Sequence, residues 1–180
     1  MVPARCLFCG YGAKKTHEKW QNREVSALEF GGRYLVSASR TEVWHALNNA
    51  DTLKAAIPGC SRIDWTGDAS LEVEITVNFG IVKPKFEGDL TLSNVIPAQS
   101  YTLSGKGRGG VLGMAQGAAD ITLADAPEGT LLVFSATGGA DGGIMKLGKA
   151  LIGNSAQKVI DGFFARFGEA MGATITPIQA

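Results

Sequence analysis

The segment IMKLGKALIGNSAQKVIDGFFARFGEAMGA, residues 144 to 173, decides the fold. Steps of three or four residues through it meet only apolar residues or glycine, at Met145, Gly148, Ile152, Ala156, Val159, Phe163, Phe167 and Ala170. An unbroken apolar stripe over about seven turns predicts one long helix buried along one face. The rest of the chain must supply an equally long apolar surface to cover it.

The segments before this helix supply that surface as a sheet. Apolar and polar residues alternate in LEVEITVNF (71 to 79), KFEGDLTLS (85 to 93), YTLSGKG (101 to 107) and GAADITLA (117 to 124), and TLLVFSATG (130 to 138) follows a Pro-Glu-Gly turn. Alternation with period two predicts strands that bury one face and expose the other. We expect a run of about six such strands, joined in antiparallel order.

The first part of the predicted domain adds a strand and two short helices. EFGGRYLV (29 to 36) alternates like a strand, and Ser39 to Glu42 form a capping-box pattern that opens a helix. A second short helix is expected from about Asp51 to Ala56, ended by Ile57-Pro58-Gly59. This order predicts an α+β helix-grip fold, in which a curved antiparallel sheet wraps around a long C-terminal helix.

Charge and length exclude several classes of protein. The 180 residues include 17 basic and 17 acidic side chains, which argues against a nucleic-acid binder. No apolar run approaches the roughly 18 residues of a membrane-spanning helix, and a signal-peptide pattern is missing. We therefore expect a cytoplasmic protein with one domain at residues 29–173, followed by a tail at 174–180.

Residues 1–28 differ in composition from the rest. They carry five basic and two acidic residues and lack a sustained apolar period, which predicts a disordered leader or a non-native extension. Cys6 and Cys9 form a Cys-x-x-Cys pair, with His17 eight residues on. Zinc sites generally need four ligands in paired clusters, and the remaining cysteine, Cys60, is distant, so no metal site is predicted.

Glycine is unusually frequent, at 24 of 180 residues. Gly88, Gly105 and Gly117 take the inward phase of their strands, and Gly148 lies on the apolar stripe of the helix. Missing side chains on two facing walls predict a cavity for a guest molecule. Alternatively, the strand glycines permit bulges and strong coiling of the sheet, and Gly148 lets helix and sheet approach closely.

The same phases give a candidate lining for the cavity. It comprises Ile57, Ile75, Val77, Phe79, Gly88, Leu90, Leu103, Gly105, Gly117, Ile121, Gly148, Ile152, Phe163 and Phe167. This lining is almost entirely carbon, so the expected guest is apolar and mostly uncharged, such as an isoprenoid or acyl chain. Each of these residues also fits an ordinary packed core.

Catalytic residues are not predicted. No Ser-His-Asp or Cys-His set can be placed, and Tyr101 is the one polar side chain with an inward phase. The GRGGVLG stretch at 107–113 lacks the lysine and serine of a phosphate loop, so it is interpreted as a hairpin tip.

Three stretches carry a family resemblance: VWHALNNADTLKAAIPGCSRID (43 to 64), GGIMKLGKALI (142 to 152) and DGFFARF (161 to 167). They resemble the CoxG family of carbon monoxide dehydrogenase subunits, a branch of the START-like polyketide cyclase superfamily that shares the Bet v 1-like fold, over roughly Glu29 to Gly172. The resemblance implies an apolar cavity between helix and sheet. It also implies an accessory protein that handles quinone and recruits a molybdenum dehydrogenase to the membrane, with no covalent cofactor.

Residues and resemblance together favour a non-catalytic binder of a lipid or quinone that assists a molybdenum hydroxylase-type oxidoreductase. A cyclase- or hydratase-like enzyme and a pure protein-docking module remain as alternatives. The predicted helix carries Lys146, Lys149, Lys158 and Arg166 against Asp161 and Glu169. That excess permits peripheral contact with the inner face of the cell membrane, and it also fits a solvated helix face.

Overall fold

The computed structural model describes residues 27–179. Its strands are β1 (Leu28–Val36), β2 (Cys60–Gly67), β3 (Ser70–Thr76), β4 (Lys85–Ile96), β5 (Ser100–Arg108), β6 (Met114–Ala126), β7 (Gly129–Ala140) and β8 (Ile175–Pro177). Its α-helices are α1 (Arg40–Leu47), α2 (Ala50–Ala56) and α3 (Lys149–Met171). A 3-10 turn, Gly142–Leu147, leads into α3.

All eight strands form one antiparallel sheet in the order β2-β3-β4-β5-β6-β7-β1-β8. The pairs Glu87 with Arg108 and Ala115 with Ala140 bring three connections to one end of the sheet. These are residues 77–84, residues 109–113 and the 3-10 turn, and we call this the outer end. The predicted helix-grip fold is confirmed, with α3 covering the sheet that wraps it.

The two short helices begin where the sequence predicts. The Glu42 backbone amide donates to Ser39 Oγ at 3.3 Å, and the Ser39 amide donates to Glu42 Oε2 at 2.8 Å. These bonds complete the capping box, and the bond from the Ser39 hydroxyl lowers the pKa of Glu42. Asn49 caps α2 by accepting from the Thr52 amide at 2.9 Å.

The solid part of the core lies where α1, the sheet and the C-terminal half of α3 meet. Val36, Val43 and Phe167 are fully buried there. The Phe164 ring stacks on Tyr34 with centroids 3.8 Å apart. This cluster fixes α3 against β1 and β7, and thereby sets the spacing between helix and sheet farther along.

Three boundaries differ from the sequence-based prediction. The helix begins at Lys149 and not at Ile144, because Gly148 has φ of +87°, which no α-helix contains. The strand predicted to reach Phe79 ends at Thr76, although the Val77 and Phe79 amides still donate to Pro84 and Val82 carbonyls. Ile175–Pro177, in the predicted tail, forms β8 on the edge of β1.

Candidate ligand cavity

Open space remains between α3 and the sheet in two adjoining chambers. The inner chamber, of about 300 Å³, lies beneath α2 and the middle of α3. The outer chamber, of about 460 Å³, lies toward the outer end beneath the first turns of α3. Six residues line both chambers: Leu90, Leu103, Ala119, Ala136, Val159 and Ile160. Each chamber falls within the range of about 300–1,000 Å³ that is typical of ligand sites.

Large side chains line the inner chamber. Its lining comprises Leu47, Leu53, Ile57, Ile63, Trp65, Leu71, Leu90, Leu92, Tyr101, Leu103, Ala119, Ile121, Leu132, Phe134, Ala136, Val159, Ile160, Phe163 and Phe164. Only Tyr101 and Trp65 in this set carry a polar side-chain atom. The Tyr101 ring is held edge-on to Trp44, with centroids 5.6 Å apart. A guest here would meet almost only carbon.

Small residues line much of the outer chamber. Gly88, Gly105, Gly107, Gly117, Gly138 and Gly139 border it, together with Ala115, Ala118, Ala119, Ala136, Ala140 and Ala156. Apolar side chains close it toward the outer end, among them Phe79, Phe86 and Ile144. The outer chamber is more open at its boundary than the inner chamber.

The glycines in the strands are needed for the backbone geometry of the sheet, and not only to leave space for the cavity. A Cβ atom added at Gly88 would lie 2.9 Å from the Lys106 carbonyl oxygen, and one at Gly117 would lie 2.9 Å from the Thr137 carbonyl oxygen. Real Cβ atoms do not approach so closely, so the bent sheet requires glycine at both positions. At Gly105 the added atom would instead meet the Leu90 side chain, which covers part of that space.

The structure gathers most of the predicted lining residues around the two chambers. Ile57, Ile121 and Phe163 lie on the inner chamber, and Leu90 and Leu103 lie on both. The outer chamber is lined by Ile75, Val77, Phe79, Gly88, Gly105, Gly117 and Ile152. Phe167 lines neither chamber, because it is fully buried in the solid core against Phe163.

The prediction that Gly148 thins the helix wall is wrong. Gly148 precedes α3, is exposed and has no atom within 4 Å of an added Cβ. Its positive φ, rather than its small size, explains the glycine. Gly153 does lie within α3, where an added Cβ would make an ordinary 3.7 Å contact with Leu28. The tight positions on the helix are Gly162, where a Cβ would lie 2.8 Å from the Pro58 ring, and Gly168, where it would lie 2.8 Å from the Ala173 carbonyl oxygen.

Several lining residues were missed by the sequence-based prediction. Ile63 and Trp65 belong to β2, whose alternation in SRIDWTG is readable in the sequence but short. Leu132, Phe134 and Ala136 share the inward phase of β7 and could have been found in the same way. Ile160 and Phe164 lie beside the apolar stripe rather than on it.

The electrostatics of the cavity favour neutral groups. Burial raises the pKa of the Tyr101 hydroxyl, so this group stays protonated well above neutral pH. Burial also raises the pKa of the Cys60 thiol, which donates to the Arg62 carbonyl at 3.3 Å. Within residues 27–179, His, Cys, Asp and Glu form no group of three or more that could hold a metal ion. Cys6, Cys9 and His17 lie outside the described residues.

No helix among the described residues is both long and apolar enough to cross a membrane. The long helix α3 is instead amphipathic, with Lys158 and Asp161 exposed and Phe164 and Phe167 buried.

Solved structures with the same fold include proteins of different roles. A conserved protein from Geobacillus kaustophilus is 22% identical with a TM-score of 0.73, covering 82% of this chain and 99% of its own. The Zhui aromatase/cyclase from a Streptomyces species is 14% identical with a TM-score of 0.57, covering 80% and 92%. Ara h 8.0201 is also 14% identical, with a TM-score of 0.55, covering 81% and 99%. At these identities the likeness supports the fold alone.

Sequence comparison is more specific. No relative was found among curated proteins. The family model of the carbon monoxide dehydrogenase subunit CoxG matches residues 32–172, which is most of the described domain and includes every residue that α1, α2 and α3 contribute to the cavity. The chain therefore belongs to the CoxG family of carbon monoxide dehydrogenase subunits.

Proposed function

We propose that this protein is a non-catalytic carrier that holds a lipid or a quinone in its two chambers. It would thereby assist membrane recruitment, or supply of an electron acceptor, for a molybdenum carbon monoxide dehydrogenase-type oxidoreductase. The observation that carries the proposal is the carbon-lined space between α3 and the sheet. Family membership supports the link with an oxidoreductase.

The lining supports an apolar guest for an energetic reason. Transfer of apolar surface from water is favourable by about 25 cal/mol per Å², so a guest chain needs no specific polar contact to bind here. A charged group would be costly to desolvate in the inner chamber, where only Tyr101 and Trp65 carry polar side-chain atoms. Lys106, Gln116 and Thr137 border only the outer chamber, and they take the outward phase of their strands, so this chamber too is lined mainly by carbon.

An enzyme of the cyclase kind is the second candidate. The Tyr101 hydroxyl in the inner chamber favours it, and the fold is one that an aromatase/cyclase also has. General acid–base catalysis works best when the pKa of the group lies near the working pH, whereas burial raises that of Tyr101. This mismatch favours the carrier. A pure docking module would have no use for the open space.

The first test is to extract the purified full-length protein with organic solvent and record a mass spectrum. A carrier should release a lipid or quinone that survives mild purification. If the organic extract contains no lipid or quinone, the result would argue for the docking module. Chemical conversion of an added guest during incubation would instead argue for the enzyme.

A titration with decylubiquinone gives a second readout. Trp65 lines the inner chamber and Trp44 contacts Tyr101, so a bound quinone should quench tryptophan fluorescence in a saturable way. Trp65→Phe should remove much of the signal and leave the affinity similar, as measured by co-elution of quinone with the protein. Linear, unsaturable quenching in the wild-type protein would contradict the proposal.

The link with the enzyme needs a separate experiment. Cells with and without this chain are fractionated, and carbon monoxide dehydrogenase activity is measured in the membrane and soluble fractions. The expected result is less membrane-bound activity without the chain, at unchanged total activity. An identical distribution would contradict the recruitment role and leave the guest-binding role to be judged by extraction.

A further inference from the structure

The outer end of the sheet exposes two large aliphatic side chains on neighbouring connections. Ile81 is 85% exposed on the 77–84 connection, and Val111 is 99% exposed on the 109–113 connection. They are the two most exposed large hydrophobic residues among those described. The two connections adjoin neighbouring strands, β4 and β5, at the same end of the sheet, and exposed apolar side chains that form a joint patch mark interaction surfaces.

Both tips are built as fixed turns rather than as slack loops. On the first, the Gly80 amide donates to Asn78 Oδ1 at 2.8 Å and the Phe79 amide donates to the Val82 carbonyl at 2.9 Å. On the second, the Gly109 amide donates to the Gly113 carbonyl at 2.8 Å. In these turns Ile81 and Val111 point to solvent.

The 3-10 turn fastens the second tip to the rest of this end. The Met114 amide donates to Asp141 Oδ1 at 2.9 Å, and the Asp141 amide donates to the Met114 carbonyl at 2.9 Å. At Gly113, with φ of +96°, a Cβ would lie 2.7 Å from the Asp141 carbonyl oxygen. Backbone packing this close ties the 109–113 connection to the start of the 3-10 turn.

Basic residues surround the two tips. Residues 77–85, 108–114 and 141–149 contain five basic side chains, Lys83, Lys85, Arg108, Lys146 and Lys149, and one acidic side chain, Asp141. Elsewhere in 27–179 there are seven basic and fourteen acidic residues. Lys85 is also 2.9 Å from Glu74. Glu87 pairs in register with Arg108, so the net positive charge beside the two tips comes from Lys83, Lys146 and Lys149.

We propose that the outer end docks on an anionic lipid bilayer, with Ile81 and Val111 entering the headgroup boundary and the surrounding basic residues contacting lipid phosphates. This inference rests on the proposed function and assigns its membrane contact to a surface. Apolar tips within a basic ring match what an anionic interface attracts. Phe79 of the 77–84 connection and Ile144 of the 3-10 turn close the outer chamber at this end, so the docking surface lies next to the chamber that would hold the guest.

Other occupants fit the charge less well. Two copies of this chain meeting outer end to outer end would bring Lys83, Lys146 and Lys149 of each copy together, which is repulsive. Leu28, where β1 begins, lies at this same end, and the sequence of residues 1–26 carries five basic and two acidic side chains. The net charge of residues 1–26 is therefore positive, like that of the outer end, and does not complement it.

The test is co-sedimentation of the full-length protein with vesicles of phosphatidylcholine alone or with about one third phosphatidylglycerol. Wild-type protein should bind the anionic vesicles and be released by salt. Ile81→Ser with Val111→Ser should weaken binding about tenfold or more. The matched control is Val95→Ser with Ile96→Ser, which removes two exposed aliphatic residues at the opposite end of the sheet and should leave binding unchanged.

Charge is tested in the same assay. Lys83→Gln, Lys146→Gln and Lys149→Gln should each weaken binding to anionic vesicles about fivefold. The control pair, Lys158→Gln and Arg166→Gln on α3, should have little effect. Thermal melting of every variant checks that folding is intact, and extraction checks that the guest is retained.

The outcomes separate this inference from the proposed function. Equal binding by wild-type protein and the Ile81/Val111 variant, or no vesicle binding at all, overturns the docking surface even if a guest is extracted. Loss of oxidoreductase binding in that variant, with vesicle binding unchanged, also overturns it and assigns the surface to a protein partner. Absence of any guest, with vesicle binding as expected, overturns the carrier and leaves the docking surface in place.

Discussion

The inner and outer chambers are made by the same helix and sheet but by different means. In the inner chamber large side chains such as Leu132 and Phe134 line the wall, and open space remains between them and the residues of α2 and α3. In the outer chamber much of the wall is glycine and alanine, and space remains because side chains are missing. The first kind of space depends on packing at its edges, and the second depends on local backbone geometry.

The largest expected effect is on stability when a wall residue of the inner chamber is truncated. Phe164 is 7% exposed and packs on Tyr34 and Phe134, so Phe164→Ala should lower the free energy of unfolding by about 3–5 kcal/mol. Ile152 is half-buried at the outer chamber, so Ile152→Ala should cost about 1–2 kcal/mol. Urea denaturation of both variants measures the difference. Equal losses of the free energy of unfolding in the two variants would contradict the view that the residues lining the inner chamber contribute more to packing than those lining the outer chamber.

The next prediction concerns the boundary of the chambers. Ala136 lines both and pairs in register with Ala119, so Ala136→Leu would place a larger side chain where the chambers meet. We expect the affinity for decylubiquinone to fall about tenfold, because its chain can no longer pass the boundary. Affinity for duroquinone, which has no chain, should change little.

The control for this substitution is Ala124→Leu, at an exposed position of β6 that lines neither chamber. It should preserve the affinity for both quinones in the fluorescence titration. If Ala136→Leu weakened duroquinone as much as decylubiquinone, the two spaces would not act as one elongated site. Ala136→Leu should change the free energy of unfolding by less than about 1.5 kcal/mol, because the open space of the cavity can take up the added atoms.

A third prediction separates the two reasons for glycine in the outer chamber. Gly117→Ala brings a Cβ against the Thr137 carbonyl oxygen, which belongs to a paired strand and cannot rotate away. We expect a loss of about 1–3 kcal/mol in the free energy of unfolding. Gly105→Ala meets the flexible end of Leu90 instead, so the loss should be about 1 kcal/mol or less.

Guest binding should show the opposite order in these two variants. Leu90 borders both chambers, and its displacement by Gly105→Ala would narrow the space available to a chain. The decylubiquinone titration should therefore detect Gly105→Ala more clearly than a melting curve does. A stability loss at Gly105 as large as that at Gly117 would contradict the assignment of Leu90 as the yielding contact.

The fold and much of the lining were predictable because strand alternation is local. The inward phases of β3 to β6 place Ile75, Leu90, Leu103 and Ile121 correctly on the buried face. The start of α3 was not predictable in this way, because the 3-10 turn continues nearly the same apolar spacing through Met145. The positive φ of Gly148 cannot be read from the spacing of apolar residues in the sequence.

The buried side of α3 was also underestimated for a physical reason. One apolar stripe describes a helix that packs on a single layer, whereas α3 contacts the sheet on one side and α2 on another. Phe164 and Gly168, beside the stripe, are therefore buried, and Ala170 on the stripe is exposed. The short β8 ends in Pro177 and has only three residues, too few for alternation to reveal it.

The smallest expected effect tests whether the polar group of the inner chamber matters. Burial raises the pKa of Tyr101 above its ordinary value of 10.0, so the folded protein favours the neutral hydroxyl. The stabilising contribution is complete below pH 10.0 and is lost as the pH rises above it, because the unfolded chain ionises first. As the pH rises from 8 into the alkaline range, Tyr101→Phe should therefore lose less of its free energy of unfolding than the wild-type protein does.

Tyr34 provides the comparison outside the chambers. Its pKa is also raised, by burial and by the nearby Asp161 carboxylate, but Tyr34 is less buried than Tyr101. Tyr34→Phe should change the alkaline limb of the pH–stability curve less than Tyr101→Phe does. Because Tyr101 is neutral throughout, decylubiquinone affinity should be constant between about pH 6 and 9. A titration step in that range, abolished by Tyr101→Phe, would mean that the inner chamber holds a reactive polar group, as an enzyme of the cyclase kind requires.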